Sequence, residues 1–214
     1  MKTTDDHALR RLTTCADVIV KAAAECAVLG WTPATSSNFS MRMDDRHAAI
    51  TASGKHKGRL QRDDILIVDL DDGQPIDATR KPSAETLLHV QAYRRMPDVG
   101  AVLHTHSHNQ SVASRLYAGD GVVRFCGWEL QKAIAGHVTH DDTLELPVFA
   151  NSQHMPDIAT RVDAWMDAGK PLAGYLIEGH GLYAWGRDMA EALRHLEAFD
   201  FLLGCELDLK RLIA

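Results

Sequence analysis

"AVLHTHSHNQ", residues Ala101 to Gln110, changes character in its middle. Ala101, Val102 and Leu103 form an apolar run, His104 and His106 alternate with Thr105, and "SHNQ" then offers small polar residues of the kind that start a helix. The stretch reads as a buried strand that ends in imidazoles and turns into a helix. Residues two apart in a strand share a face, so His104 and His106 are expected side by side. His108 falls past the strand, in the turn, and is not counted with them.

The same alternation extends in both directions. Leu9, Leu12, Ala16, Ile19, Ala23, Cys26 and Leu29 recur at helical spacing, and Gly30 and Pro33 close that helix. "NFSMRM", "AAIT" and "DILIVDL" are short strands between turn residues. "PSAETLLHVQAYRRM" predicts a helix from Pro82 to Met96, with Ser83 as N-cap and Glu85 in the first turn. Beyond the opening stretch come a helix at "NQSVASRL", strands at "GVVRF" and "LPVFA", and a helix at "MPDIATRVDAWMDAGK". A strand at "LAGYLI" and a last helix at "RDMAEALRHLEAFDFLL" follow, the latter with Asp188 and Glu191 at capping-box spacing. No repeat or linker interrupts the series, so an α/β fold in one domain over residues 1–214 is expected, with strand direction left open.

Bulk properties narrow the partners. A formal net charge of −6 gives no reason to expect nucleic acid or an anionic membrane. Cys15, Cys26, Cys126 and Cys205 are scattered without a CxxC pair and read as reduced thiols. "MKTTDDHALRR" lacks the pattern of a secretory signal, and Asp17, Lys21 and Glu25 break the most apolar early segment, so a soluble cytoplasmic protein is expected.

A third imidazole is available from His180 in "IEGHGLYAWG", where Gly179 and Gly181 let backbone pass close to an ion or substrate. Three imidazoles with an open fourth position are the donor set of a catalytic zinc. An HxH pair among twelve histidines also arises by chance, and on the residues alone both readings stay open. Glu85 and Glu129 are candidates for acid–base work, or plain helix-start acids. Asn38 in "SSNFS", Ser53, Gly54 and Lys57 in "TASGKHKG", and Ser83 in "KPSAE" offer the hydroxyls, amide and backbone N–H groups of an anion site, or plain turns and caps.

Taken in order, "SSNFS", "TASGKHKG", "KPSAET", "VLHTHSH" and "GHGLYAWG" resemble the class II aldolase and adducin family, over a span from about Ala22 to the last helix. The resemblance implies a three-layer α/β/α fold with a mixed, mostly antiparallel sheet. It implies one divalent ion per subunit, usually zinc, on His104, His106 and His180, and a sugar-phosphate substrate whose phosphate is held by Asn38, Ser53, Gly54 and Ser83. It also implies a homo-oligomer, a tetramer by expectation, with active sites between subunits. "WELQKAIAGH" and "LPVFANSQHMPDIA" look most like the members that dehydrate a ketose phosphate, and Glu129 matches their general acid/base. Glu85 matches the proton-transfer glutamate of the aldolases, whereas Ala84 stands where aldolases usually have a second serine. The expected activity is therefore that of a metal-dependent hydro-lyase, with aldol cleavage or epimerisation of another ketose phosphate as the alternative. A non-catalytic module like the adducin heads is disfavoured, because it has no need of an intact HxH, a later GHG and two acids.

Overall fold

The computed structural model describes residues 2–170 and 172–213. Helix α1 (Lys2–Val28) leads into strands β1 (Asn38–Arg42), β2 (His47–Thr51) and β3 (Ile65–Asp69). Helix α2 (Thr86–Arg95), strand β4 (Ala101–Thr105), helix α3 (His108–Leu116) and strands β5 (Val122–Phe125) and β6 (Leu144–Phe149) follow. The chain closes with α4 (Met155–Asp167), β7 (Gly174–Ile177), β8 (Leu182–Gly186) and α5 (Met189–Ile213).

The strands form one sheet in the order β3-β2-β1-β4-β8-β7-β6-β5. Every neighbouring pair is antiparallel except β6 and β7. The sheet is thus mixed and mostly antiparallel, as expected from the resemblance. Side-chain alternation splits the core into two layers. Phe39, Leu103, Leu182 and Ala184 pack with Ile19 of α1 and with Leu196 and Phe199 of α5. Val102, Tyr175, Ile177, Tyr183 and Trp185 pack on the other face with Leu88 of α2 and Ile158 of α4. Helices therefore cover both faces of the sheet, which is the three-layer α/β/α arrangement.

Three local features differ from the sequence expectation. Strand β8 has no counterpart in it: "LYAWG" pairs antiparallel with both β4 and β7 and is buried along its whole length. Ser83 is not the N-cap of α2. The helix starts at Thr86 with Glu85 in the cap position, while Ser83 Oγ accepts from the Glu85 amide at 3.3 Å and Ser83 O from the Thr86 amide at 3.2 Å. Ser83 thus shapes the turn ahead of the helix. His106 lies one residue beyond β4, and its amide donates to Trp31 O at 2.8 Å rather than to a strand.

Register places the polar residues of the sheet. Asn38 pairs with His104, and His104 with Tyr183, so the three lie in one row across β1, β4 and β8 on the face of α2. The turn between β7 and β8 is only four residues long, with Gly179 at φ 61. A Cβ on Gly181 would stand 2.1 Å from Thr105 O, so only glycine allows this turn to close against the end of β4. Helix α3 holds the same corner. Ser107 caps it by accepting from the Gln110 amide, the Ser107 hydroxyl donates to Asp200 of α5, and Ser111 Oγ donates to His180 O at 2.9 Å.

Candidate metal centre and active site

Strand β4, the residue after it and the β7–β8 turn bring three imidazoles together. The ring centroids of His104 and His106 are 4.5 Å apart, those of His104 and His180 4.9 Å, and those of His106 and His180 4.6 Å. One ring nitrogen from each lies within 4.8 Å of the other two, and His104 Nε2 is 3.4 Å from His180 Nε2. Two imidazole nitrogens on one tetrahedral zinc, at Zn–N of about 2.0–2.1 Å, stand about 3.3 Å apart. The observed spacing therefore fits a shared cation.

Protonation fits as well. His104 Nδ1 donates to Leu182 O at 3.0 Å, which fixes the tautomer and leaves the Nε2 lone pair free. Burial pushes His104 down to about 4, and burial together with the neighbouring imidazoles pushes His106 down to about 3. Both rings are neutral at pH 7, the state in which imidazole binds a metal. His108, at the exposed start of α3, takes no part.

Glu85 stands at the mouth of this cluster. Its Oε1 is 3.2 Å from His180 Nε2 and its Oε2 is 3.3 Å from His104 Nε2. Asn38 Nδ2 and the Tyr183 hydroxyl each donate to Oε2 at 2.8 Å. Burial opposes its ionisation, but the imidazoles of His104 and His180 and the Asn38 amide outweigh it and hold the carboxyl well below the usual carboxylate range. Tyr183 also stacks on His104, with centroids 4.1 Å apart and planes 16° from parallel. Sequence reasoning missed Tyr183 because it missed β8.

The anion-site candidates converge beside the histidines. Ser53 N donates to Lys81 O at 3.1 Å and Ala52 bridges Pro82, which sets the Ser53–Gly54 turn against Ser83. Asn38, Ser53, Gly54 and Ser83 line one cavity of about 180 Å³, together with Ser36, Ser37, Lys57, Glu85 and His106. Ala34 and Ser37, in the loop just ahead of Asn38, hold positive φ of 55 and 74, uncommon for residues with a side chain and a mark of a constrained loop. Lys57 is buried; its ammonium donates to Thr35 O at 3.1 Å and Lys55 O at 2.7 Å and pairs with no carboxylate among the described residues. A larger cleft, lined by Arg80, Lys81 and Ser83, holds none of the three histidines.

The structure does not bring Glu129 to this cluster within one chain. It opens the short 3-10 turn Glu129–Ala133 with its side chain 74% exposed, paired with Lys132 and, at 3.7 Å, with His140. The carboxylate beside the histidines is Glu85.

Fold and site together define a class II aldolase type of protein, and the chain belongs to the Class II Aldolase and Adducin N-terminal domain family, whose model matches residues 17–207. Among curated relatives it is 58% identical to methylthioribulose-1-phosphate dehydratase of Xanthomonas campestris pv. campestris (strain 8004), over 96% of this chain and 94% of the relative. It is 59% identical to the protein of the same name from Stenotrophomonas maltophilia (strain R551-3), over 94% of each. Among solved structures it superposes on an L-fuculose 1-phosphate aldolase with a TM-score of 0.77 at 20% identity, over 94% of this chain and 88% of the other. The L-fuculose-1-phosphate aldolase of Thermus thermophilus gives 0.67 at 22% identity, over 92% and 94%. These two likenesses speak to the fold.

Replacing His106 by Ala removes one donor while keeping the sheet. Bound divalent metal after dialysis, measured by plasma mass spectrometry, is expected to fall by roughly tenfold or more, since even the loss of an outer partner of a ligand costs that much. Circular dichroism should be unchanged; wild-type metal content in the variant would remove His106 from the site.

Proposed function

We propose that the chain is a single-domain zinc-dependent hydro-lyase that converts 5-methylthioribulose 1-phosphate to 2,3-diketo-5-methylthiopentyl 1-phosphate, a step of methionine salvage in the cytoplasm. The observation that carries this reading is the junction of three clustered imidazoles with a cavity of hydroxyl, amide and glycine donors around a buried ammonium. The relatives at 58–59% identity supply the substrate.

Dehydration removes the proton on carbon 3, carries the resulting charge on the ketone oxygen and expels the carbon-4 hydroxyl as water. His104, His106 and His180 would hold a divalent cation, which when bound would supply Lewis-acid polarisation of the ketone. Asn38, Ser53, Gly54 and Ser83 hold the phosphate, and Lys57, which burial pulls down to about 8, is still charged at pH 7 and supplies the counter-charge. The cavity of about 180 Å³ is smaller than a typical pocket for a whole ligand, which suits it to the phosphate end while the carbon chain reaches the histidines. Glu85, ionised and fixed by Asn38 and Tyr183, orients the ketone end or exchanges its proton. Glu129 takes the carbon-3 proton and returns it to the departing hydroxyl. The product enol then tautomerises to the diketone.

Exposure of Glu129 and of nearby Leu130 and Val138 supports a homo-oligomer, a tetramer by family resemblance, in which Glu129 reaches a neighbour's histidines. Co-refolding Glu129→Gln with His106→Ala tests this. If Glu129 crosses between subunits, the mixture regains roughly a quarter of wild-type turnover, the statistical share of sites with both residues intact. No recovery would place Glu129 with the histidines of its own chain, and full turnover of Glu129→Gln alone would move the acid–base role to Glu85.

Incubation with 5-methylthioribulose 1-phosphate, followed by mass spectrometry, tests the reaction itself. Loss of one water is expected. Release of an aldehyde and a three-carbon phosphate, from this ketose or from fuculose 1-phosphate, would make the protein an aldolase instead.

A further inference from the structure

We propose that His89 is a positioning residue: it fixes which way the Asn38 side-chain amide points, and so sets both the donor that holds Glu85 and the donor offered to the anion cavity. The second half rests on the phosphate reading above.

A continuous chain of polar side chains runs from the core to the site. The Tyr93 hydroxyl lies 2.7 Å from Ser40 Oγ, and Ser40 Oγ lies 2.7 Å from His89 Nδ1. His89 Nε2 bonds Asn38 Oδ1, and Asn38 Nδ2 donates to Glu85 Oε2 at 2.8 Å. Tyr93, Ser40, His89 and Asn38 are all buried, at 1%, 0%, 1% and 5% exposure. Glu85 and His89 are four residues apart, one helical turn, and reach the same amide from one side of α2. The ring of His89 also meets the edge of Tyr183, with centroids 5.7 Å apart at 70°.

One proton arrangement satisfies every member. An ionised carboxylate only accepts, so Asn38 must turn its amide nitrogen to Glu85 and its carbonyl to His89. His89 Nε2 must then carry the proton. A neutral imidazole has a single N–H, so Nδ1 accepts; Ser40 donates to it, and Tyr93 donates to Ser40. Burial, which pushes His89 down to about 4, keeps the ring neutral. Turning Asn38 over would set carbonyl against carboxylate on one side and N–H against N–H on the other, at a cost of about 1–3 kcal/mol for each buried group left unpaired.

The consequence reaches the cavity that Asn38 lines. With its carbonyl turned to His89 and one amide proton given to Glu85, Asn38 keeps its second N–H as a donor for an incoming anion. His89, which touches no substrate, selects for anions through its neighbour.

Nitrogen-15 NMR of the wild-type protein reads the His89 tautomer directly, without any substrate. The Nε2–H form is expected between pH 6 and 8, and the Nδ1–H form would overturn the amide-fixing half even if the phosphate cradle is right. Two variants read the consequence through binding of inorganic phosphate, with bound metal as the check on the site. His89→Leu should weaken phosphate roughly tenfold, the equivalent of one neutral hydrogen bond, and raise KM similarly with metal content unchanged. His89→Gln, whose amide can donate to Asn38 and accept from Ser40, should restore most of the loss. Equal weakening in both variants, or none in either, would overturn the inference. A wild-type protein that does not bind phosphate would overturn its anion half together with the proposed cradle, and leave the tautomer result to decide the rest.

Discussion

Everything at this site depends on the lateral alignment of β1, β4 and β8. Asn38, His104 and Tyr183 are register partners, which is why a helix laid on that face can close over all three. A slip of one residue in β4 would turn His104 into the apolar layer of α1 and α5 and bring Leu103 to the row. The alignment is pinned at its end by Gly181 against Thr105 O, where no side chain fits. The sheet is ordinary in composition on the face of α1 and α5. On the opposite face its apolar packing gives way to polar residues along β1 and at the end of β4.

Such a row is tolerable in a core because its members satisfy one another. Glu85 accepts from Asn38 and Tyr183, so its buried charge has two hydrogen-bond donors, and its other oxygen lies 3.2 Å from His180 Nε2. Burial keeps His104 and His106 neutral, and the Nε2 atoms of His104 and His180 stand 3.4 Å apart, a spacing that a shared cation fits. The same logic applies to Lys57, a buried ammonium whose acceptors are two carbonyls. Lys57 and His106 line one cavity, so the buried ammonium stands close to the histidine cluster.

Much of this was legible in the sequence. His104 and His106 followed from strand alternation, and the glycines around His180 carried real structural weight, one as a left-handed turn and one as a close contact. The three-layer sheet came through the ordered motifs rather than through periodicity, which left strand direction open. Strand β8 stayed hidden behind the Gly-His-Gly turn that precedes it, and Tyr183 was hidden with it. Ser83 looked like a helix cap because it has the residue type of one, but the bridge of Ala52 to Pro82 holds that turn and delays the helix to Thr86. His89 had a signal, its spacing of four from Glu85 on a helix, and Ser40 had another, its alternation with Asn38 on a strand. Neither meant anything until the sheet register set Asn38 between them. The position of Glu129 was the least legible: its residue type marks an acid–base candidate, but it opens an exposed turn paired with Lys132, away from the histidines of its own chain.

The central claim is that this register gathers His104, His106 and His180 as the donors of one cation. X-ray absorption at the metal edge of the zinc-loaded protein tests it most directly. The account predicts three imidazole nitrogens at about 2.0–2.1 Å with the remaining ligand an oxygen. A spectrum that shows a sulfur ligand, or fewer than three imidazoles, would contradict it.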